Sequence, residues 1–155
     1  MGTSSMLTAN INDLEFMAMA MENRQFSPDP STKVGSVIVC RQGIAASMSA
    51  NKFPSGVIET PKRWNDRAQK YPRVVHAELG AILNAGALGV DIRGGTLYTT
   101  EYPCCTCCGA IITAGISRVV TLDLQSDYAE RWTDQIAISV LMFQEAGVEL
   151  TMLPR

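Results

Sequence analysis

Two short segments that must meet at one metal ion constrain the fold of this chain more than any other feature. Residues 76–78 are His-Ala-Glu, and residues 103–107 are Pro-Cys-Cys-Thr-Cys. Together they offer an imidazole, a pair of thiolates and a carboxylate. Zinc prefers nitrogen and sulfur ligands in a tetrahedron, and a catalytic site keeps one corner for water. The two segments therefore predict a hydrolytic zinc site with His76, Cys104 and Cys107 as ligands.

Both segments are predicted to begin a helix. Residues 76–85 are rich in alanine and leucine, and Pro103 suits the first turn of a second helix over residues 104–114. A glycine that could end the helix follows each segment: Gly86 and Gly115. The free amides and the positive dipole end of a helix N-terminus favour thiolate over thiol, which helps Cys104 and Cys107 to bind metal near neutral pH.

Glu78 is the candidate acid and base of the site. It follows His76 by two residues, so it need not point at the metal, and we predict that it moves protons. A structural zinc site would have four protein ligands, and Cys105 or Cys108 could supply the fourth. A simpler interpretation is that these two cysteines are small buried residues, and Cys40, at the end of an apolar strand, is assigned to the core.

Composition narrows the class of protein. The chain has 155 residues, which predicts a single domain over residues 1–155. Its formal charge of -2 argues against non-specific binding to nucleic acid. Four of the five cysteines crowd between residues 104 and 108, which fits metal binding in a reducing compartment. Because no apolar run approaches the roughly 20 residues of a membrane span and residues 1–10 lack a basic signal region, we predict a cytoplasmic protein.

The first helix is predicted from a capping pattern and an apolar stripe. Asn12 followed by Glu15 resembles a capping box, and the helix is expected to run to about Arg24. Apolar residues recur at helical spacing and are expected to cover a surface of the core. These residues are Ile11, Leu14, Ala18 and Met21.

A hairpin and a long connection follow. Residues 34–40 and 44–50 flank a short turn and predict two antiparallel strands. Residues 51–73 show no clear period and predict a loop with one or two helical turns near residues 64–68. This loop carries a basic patch, which is either a solvated surface or a phosphate or effector site. The patch comprises Lys62, Arg63, Arg67, Lys70 and Arg73.

The rest of the chain alternates between strands and helices. Strands are expected at residues 96–100, 118–122 and 148–152, and a long helix is expected to end near residue 146. Trp132, Ile136, Val140 and Phe143 recur at helical spacing in that helix. A full helix between the last two strands requires them to be parallel. The pattern predicts an α/β fold, a three-layer α/β/α sandwich around a five-stranded mixed sheet.

Further stretches resemble the deoxycytidylate deaminase family. Residues 29–39, Asp-Pro-Ser-Thr-Lys-Val-Gly-Ser-Val-Ile-Val, look like that family's entry to the first strand. Residues 51–56, Asn-Lys-Phe-Pro-Ser-Gly, are similar to its substrate loop, residues 75–78 to its first zinc segment, and residues 115–120 to its next strand. The pairing of His-x-Glu with Pro-Cys-x-x-Cys is also the signature of zinc-dependent nucleobase deaminases.

This resemblance implies an enzyme with one catalytic Zn²⁺ per chain that converts a cytosine nucleotide, dCMP, to dUMP and ammonia. Zinc would lower the pKa of its bound water, Glu78 would take the proton, and the hydroxide would attack the ring carbon that bears the amino group. The resemblance also implies substrate contacts. The sugar hydroxyl is assigned to Asn51, the pyrimidine carbonyl oxygen to the Ala77 amide, and the 5′-phosphate to the region of Ser31 and Lys33, with Tyr102 also among the substrate-binding residues.

The resemblance further implies a homo-oligomer, commonly a hexamer, and in some members regulation by dCTP and dTTP with Mg²⁺. Lys52 stands where the substrate loop usually has glycine, and Gly80 stands where an asparagine is common. Lys52, because of this position, and Arg63, as a member of the basic patch, are candidate contacts for a phosphate or effector.

The sequence leaves three alternative functions open. Residues 107–112 are also similar to a helix of tRNA adenosine deaminases, which share the parallel fifth strand but are expected to carry a broader basic face. A nucleoside or free-base deaminase would need no phosphate contact. A zinc-stabilised nucleotide-binding module would bind nucleotide and release no ammonia.

Overall fold

The structure, a computed structural model, describes residues 11–124 and 126–155 and centres on one mixed sheet. The strand order is β2-β1-β3-β4-β5. The strands are β1 (Gly35–Val39), β2 (Ala45–Ala50), β3 (Thr96–Thr99), β4 (Arg118–Leu122) and β5 (Glu149–Leu153). Strand β1 pairs antiparallel with β2 and β3, whereas β3, β4 and β5 run parallel. The predicted five-stranded mixed sheet and its parallel last pair are confirmed.

Helices cover both faces of this sheet. The α-helices of the described residues are α1 (Ile11–Asn23), α2 (Pro61–Asn65), α3 (Arg67–Lys70), α4 (Ala77–Leu88), α5 (Cys105–Thr113) and α6 (Ser126–Ala146). Helices α4, α5 and α6 pack on one face through Ala81, Ile111 and Phe143. Helix α1 packs on the other face through Met17 and Ala20. The three-layer sandwich predicted from the pattern is confirmed.

Strand β1 shows why both faces need a cover. All five of its residues are buried. Ile38 points into the cluster with α4, α5 and α6, whereas Val37 and Val39 point into the cluster with α1. Successive side chains of a strand alternate between faces, so a strand that is buried along its whole length must be covered on both faces. None of the helices in the described ranges combines the length and apolar character that a membrane crossing requires.

Helix α1 is rotated relative to the prediction. Ile11 is 71% exposed and Leu14 59% exposed, and the predicted stripe faces outwards. The inward face instead carries Asp13, whose carboxylate accepts a 2.7 Å hydrogen bond from Arg118 Nη1 and another of 2.7 Å from Tyr98 Oη. Met17 and Ala20 lie on the same inward face, so the apolar packing and this polar contact together fix the rotation of the helix. The capping box was also wrong, because the helix already includes Ile11 and Asn12 lies inside it.

The predicted strand ends are correct within one residue, but several helix ends were wrong. Helix α4 continues through Gly86 and ends at Gly89, which adopts φ 70° as its left-handed C-cap. Two glycines three residues apart explain the error, because either one could end the helix. Pro103 precedes the N-cap of α5 and lies outside its first turn. Gly115, at φ 80°, does follow the end of α5.

The long connection and the last helix contain local features that position the site. The predicted helical turns are α2 and α3, and Phe53 stacks on Trp64 with ring centroids 4.1 Å apart. Lys52 pairs with Val75 through backbone hydrogen bonds, which returns the chain to the start of α4. Helix α6 is interrupted at Trp132, where φ is -118° and ψ is 15°. The sequence predicted a regular helix there.

Candidate metal centre and active site

The three predicted ligands lie together between two helix N-termini. His76 and Cys104 are the N-cap residues of α4 and α5, and neither side chain caps its own helix. His76 Nδ1 is 3.4 Å from Cys104 Sγ and 3.5 Å from Cys107 Sγ. The three donor atoms all lie within 4.8 Å of one another. The structure therefore brings one imidazole and two thiols from two helices to a single point.

This donor set fits zinc. Tetrahedral bonds of about 2.3 Å to sulfur and about 2.0 Å to nitrogen place a sulfur and a nitrogen ligand about 3.5 Å apart. The measured distances of 3.4 and 3.5 Å agree with that spacing. Three protein donors leave one tetrahedral position for a further ligand, which is the arrangement of catalytic rather than structural zinc sites.

The neighbouring cysteines have other contacts. Cys105 Sγ lies 3.4 Å from the Gln135 carbonyl oxygen, and Cys108 Sγ lies 3.5 Å from the Ser139 carbonyl oxygen. Within the described ranges, the candidate metal group contains neither cysteine. Cys108 is fully buried as predicted, but Cys105 is only half-buried. Cys40 is also half-buried and not the core residue that was predicted, because it follows the end of β1.

The contact between the two thiols shifts their pKa values in opposite directions. The hydrogen bond from Cys107 lowers the pKa of Cys104 far below the usual thiol range, and the His76 ring acts in the same direction. The same contact, together with burial, raises the pKa of Cys107. The hydrogen bond to Cys104 raises the pKa of His76 above its ordinary value, against the effect of burial. The cluster accepts one negative charge readily and resists a second, and a divalent cation between the sulfurs would favour both thiolates.

Glu78 lies beside this cluster in the first turn of α4. It is 4% exposed, and its Oε1 accepts a 2.6 Å hydrogen bond from Thr99 Oγ1. Burial raises the pKa of the Glu78 carboxyl, whereas the nearby His76 and the Thr99 hydroxyl act to lower it. A buried carboxyl whose pKa is raised above its ordinary value, beside a metal centre, is suited to accept a proton and return it.

A cavity of about 260 Å³ opens onto His76, Cys104 and Glu78. Its walls include three predicted substrate contacts, Asn51, Ala77 and Tyr102. Ala77 is the first residue of α4, and a first-turn amide has no acceptor within its own helix. Sequence reasoning thus placed these three residues at the same cavity as the metal donors.

The Asn51 side chain also holds the cavity wall together. Its Oδ1 accepts a 2.8 Å hydrogen bond from the Val34 amide. Its Nδ2 donates to Asp29 Oδ2 at 3.2 Å and to the Thr32 carbonyl oxygen at 2.9 Å. Both donor hydrogens are committed to the wall, so Asn51 can offer a ligand only the remaining lone pair of Oδ1. Lys70 completes the network, because its Nζ lies 2.7 Å from Asp29 Oδ2.

Ser31 and Lys33 line a second, more polar cavity of about 530 Å³. Lys33 Nζ donates a 2.5 Å hydrogen bond to the Ser27 carbonyl oxygen. The two cavities share lining residues Asp29, Thr32 and Arg131, so they are adjacent. The predicted phosphate region therefore lies beside the catalytic cavity rather than within it.

Lys52 and Arg63 contribute to the lining of neither cavity. Lys52 is exposed, and Arg63 Nη1 donates a 2.7 Å hydrogen bond to the Ile58 carbonyl oxygen. Of the predicted basic patch, Lys70 alone reaches the catalytic cavity, where Asp29 neutralises it. Arg73 Nη1 donates to the Gln69 carbonyl oxygen at 2.9 Å. Within the patch, Arg63 and Arg73 thus bind local backbone carbonyls, whereas Lys70 forms a buried ion pair.

Several residues at the site had no signal in the sequence. Arg131 and Trp132 reach the catalytic cavity from the interruption of α6, where the helical pattern predicted only a packing face. Lys70 was visible only as part of the basic patch. Thr99 resembled any β-branched residue in a strand. Only strand alternation combined with the helix register would have pointed Thr99 at Glu78.

Residues 10–123 match the family model of the cytidine and deoxycytidylate deaminase zinc-binding region. The chain belongs to this deaminase family. The predicted family is thereby confirmed, and the His76, Cys104 and Cys107 cluster with Glu78 lies within the matched region. This family consists of zinc-dependent deaminases that act on pyrimidine nucleotides. The three-donor geometry of the site agrees with that zinc dependence.

Individual relatives align with most of this chain. An uncharacterized deaminase in the luxG 3′ region of Aliivibrio fischeri is 39% identical over 90% of this chain and 91% of its own. The deoxycytidylate deaminase of Homo sapiens is 34% identical over 86% of this chain and 74% of its own. The crystal structure of dCMP deaminase from the cyanophage S-TIM5 in complex with dCMP and dUMP superimposes with a TM-score of 0.75. It is 26% identical and covers 94% of this chain and 99% of its own.

Proposed function

We propose that this deaminase converts dCMP to dUMP and ammonia by hydrolysis. The observation that carries the proposal is that Glu78 and two of the three zinc-type donors, His76 and Cys104, line one cavity. Similarity to the human deoxycytidylate deaminase and to the cyanophage dCMP deaminase with bound dCMP and dUMP supports the choice of substrate. Three donors beside a buried carboxyl supply the groups that hydrolytic deamination needs.

In the proposal, His76 Nδ1 and the sulfurs of Cys104 and Cys107 hold Zn²⁺. Bound there, zinc supplies the Lewis acidity that lets a water molecule lose a proton near neutral pH. Glu78 accepts that proton. It would pass this proton to the ring nitrogen as the water oxygen adds to the ring carbon that bears the amino group. Glu78 would then take the remaining proton of that oxygen and give it to the amino group, so that the C–N bond breaks, ammonia leaves and the carbon becomes a carbonyl. The raised pKa of Glu78 suits both transfers, because the carboxyl can hold a proton and return it.

The chain's own groups would orient the pyrimidine. The first-turn amide of Ala77 faces no helical acceptor and is proposed to donate to the ring carbonyl oxygen. Asn51 Oδ1 is proposed to accept from a sugar hydroxyl through its remaining lone pair, because both Nδ2 hydrogens are bound to the wall. Tyr102, 2% exposed, forms part of the wall behind the base.

The phosphate is proposed to lie where the two cavities join. Arg131 lines both of them, and Lys33 and Ser31 line the polar one. A guanidinium is suited to a phosphate because it presents a planar fork of donors. Lys52 and Arg63 line neither cavity, so their role as phosphate or effector contacts stays a prediction.

Ammonia release over a panel of substrates tests this function. The zinc-loaded protein should release ammonia from dCMP with a higher kcat/KM than from CMP, deoxycytidine, cytosine or tRNA. Activity on deoxycytidine equal to that on dCMP would show that the phosphate contributes nothing. Activity on tRNA alone would favour the adenosine deaminase class. Nucleotide binding with no ammonia release from any substrate would identify a zinc-stabilised binding module.

Other properties implied by the family resemblance stay predictions. They are the homo-oligomer, with a hexamer as the expected size, regulation by dCTP and dTTP with Mg²⁺, and a cytoplasmic location. Sedimentation measures the first. A titration of dCMP turnover with each triphosphate, in the presence and absence of Mg²⁺, measures the second.

A further inference from the structure

The Thr99 hydroxyl contacts Glu78 at the end of β3. Thr99 Oγ1 lies 2.6 Å from Glu78 Oε1 and 3.1 Å from the Glu101 carbonyl oxygen. A hydroxyl has one proton to donate, and the shorter contact identifies Glu78 as the principal acceptor of that proton. Thr99 is fully buried and Glu78 is 4% exposed, so water does not compete for this bond.

The fold places these two groups opposite each other. Leu97 and Thr99 lie on the same face of β3, and Leu97 packs in the cluster that contains Ala81 and Ala85 of α4. Glu78 precedes Ala81 by almost one helical turn, so its side chain also faces the sheet. A carboxylate on this face would be buried against apolar side chains if the strand residue offered no hydroxyl.

We propose that Thr99 is the positioning residue of the proton shuttle: its hydroxyl fixes Glu78 Oε1 and leaves Oε2 for proton transfer in the cavity. This inference rests on the proposed function. The bond holds the carboxylate in one rotamer beside the metal donors, although Thr99 does not line the catalytic cavity itself.

Thr99→Val is the variant that tests this role, because valine keeps the shape of threonine and lacks the hydroxyl. The expected result is a kcat for dCMP reduced about 10- to 100-fold, with KM and zinc content within about twofold of wild type. Thr99→Ser should recover most of kcat, because serine restores the donor. The dissociation constant for dUMP, measured by calorimetry, should stay within about twofold in both variants, since binding does not need the shuttle.

Thr121→Val is the matched control. Thr121 is the residue that pairs with Thr99 in the neighbouring strand β4, and it is fully buried. Its hydroxyl contacts the Leu122 carbonyl oxygen at 3.5 Å and not Glu78. Thr121→Val should therefore change stability without lowering kcat.

Specific outcomes would overturn the inference. A Thr99→Val kcat within about twofold of wild type, an equal loss in Thr121→Val, or no recovery in Thr99→Ser would each contradict it. Loss of zinc from Thr99→Val would show that Thr99 supports the metal site instead. If Thr99→Val fails to fold, the kcat of Thr99→Ser is compared with that of wild type and with that of Thr99→Ala, which also lacks the hydroxyl. An inactive wild-type protein on dCMP counts against the proposed function alone, and the series is then measured on the substrate that the panel identifies.

Discussion

Lys70 Nζ lies 2.7 Å from Asp29 Oδ2 at the wall of the catalytic cavity, and both side chains are largely withdrawn from water. Asp29 Oδ1 also accepts a hydrogen bond from the Ser31 amide at 2.8 Å. One carboxylate therefore joins the loop after α1 to helix α3 and, through Asn51, to the end of β2. The ion pair connects the wall residues that surround the proposed substrate.

Removing Lys70 should weaken this wall. Lys70→Met leaves Asp29 buried without its cation, and we expect the free energy of unfolding to fall by about 3 kcal/mol. Urea denaturation of the zinc-loaded protein measures the loss. Lys62→Met is the control, because Lys62 is exposed and should change stability by less than about 0.5 kcal/mol. Equal stability of the two variants would show that the pair does not support the wall.

The Asp13 and Arg118 pair should stabilise the fold without serving catalysis. Arg118→Met leaves the buried Asp13 carboxylate with Tyr98 as a remaining donor, and a loss of about 3 kcal/mol is expected. Calorimetric unfolding measures it, and kcat should not change in the folded protein, because α1 packs on the face opposite α4. Arg93→Met is the control, because it removes an exposed partner of Asp91 and should change stability far less than Arg118→Met. A reduced kcat in Arg118→Met would link α1 to the active site.

Removal of the metal donors should remove both zinc and stability. His76→Ala and Cys104→Ser each delete one of the three donors, and we expect less than about 0.1 zinc per chain after dialysis and a lower Tm. Elemental analysis and thermal unfolding give these two quantities. Cys105→Ser should retain stoichiometric zinc, because Cys105 Sγ contacts Gln135 instead. Zinc loss in Cys105→Ser with retention in Cys104→Ser would reverse the ligand assignment.

Glu78→Gln should separate proton transfer from metal binding. The amide keeps the size of the carboxyl but cannot accept a proton, so kcat for dCMP should fall by about 10²- to 10⁴-fold with zinc retained. Steady-state kinetics and metal analysis test this together. Glu59→Gln is the matched control, because Glu59 accepts a hydrogen bond from Trp64 outside the catalytic cavity and the amide oxygen can still accept it. A Glu78→Gln enzyme with near-native kcat would assign proton transfer to another group.

Glu101 should contribute a pH dependence to stability. Burial raises the pKa of this carboxyl above 4.5 despite the opposing effect of Arg155. Glu101 therefore loses its proton at lower pH in the unfolded chain than in the folded protein. Its contribution to the stability of the fold is complete below the unfolded pKa and is lost as pH rises through the folded pKa. Between about pH 4.5 and pH 7, Glu101→Gln should gain stability relative to wild type. Unfolding free energies at several pH values measure the difference, and a constant difference would contradict the raised pKa.

The sequence determined much of the fold and the inventory of the site. Period-two and helical patterns placed the five strands, and a helix-length connection made the last two parallel because a crossover needs that length. The candidate metal donors His76, Cys104 and Cys107 could be predicted, because zinc chemistry is carried by residue type and the two cysteines are spaced within one helical turn. The same holds for Glu78, two residues after His76. Such signals are local, so they need no knowledge of what lies across the sheet.

The tertiary structure decided the contacts between residues that are distant in the chain. It turned the Asp13 face of α1 inwards, where Met17 and Ala20 pack on the sheet. Arg118 and Tyr98 donate hydrogen bonds to the Asp13 carboxylate there. It also directed Thr99 at Glu78, and it brought Arg131 to the junction of the two cavities. Hydrogen bonds and ion pairs depend on distances of a few ångströms between separate elements. Residue spacing along the chain carries no such distance, and only the packed sheet and helices set it.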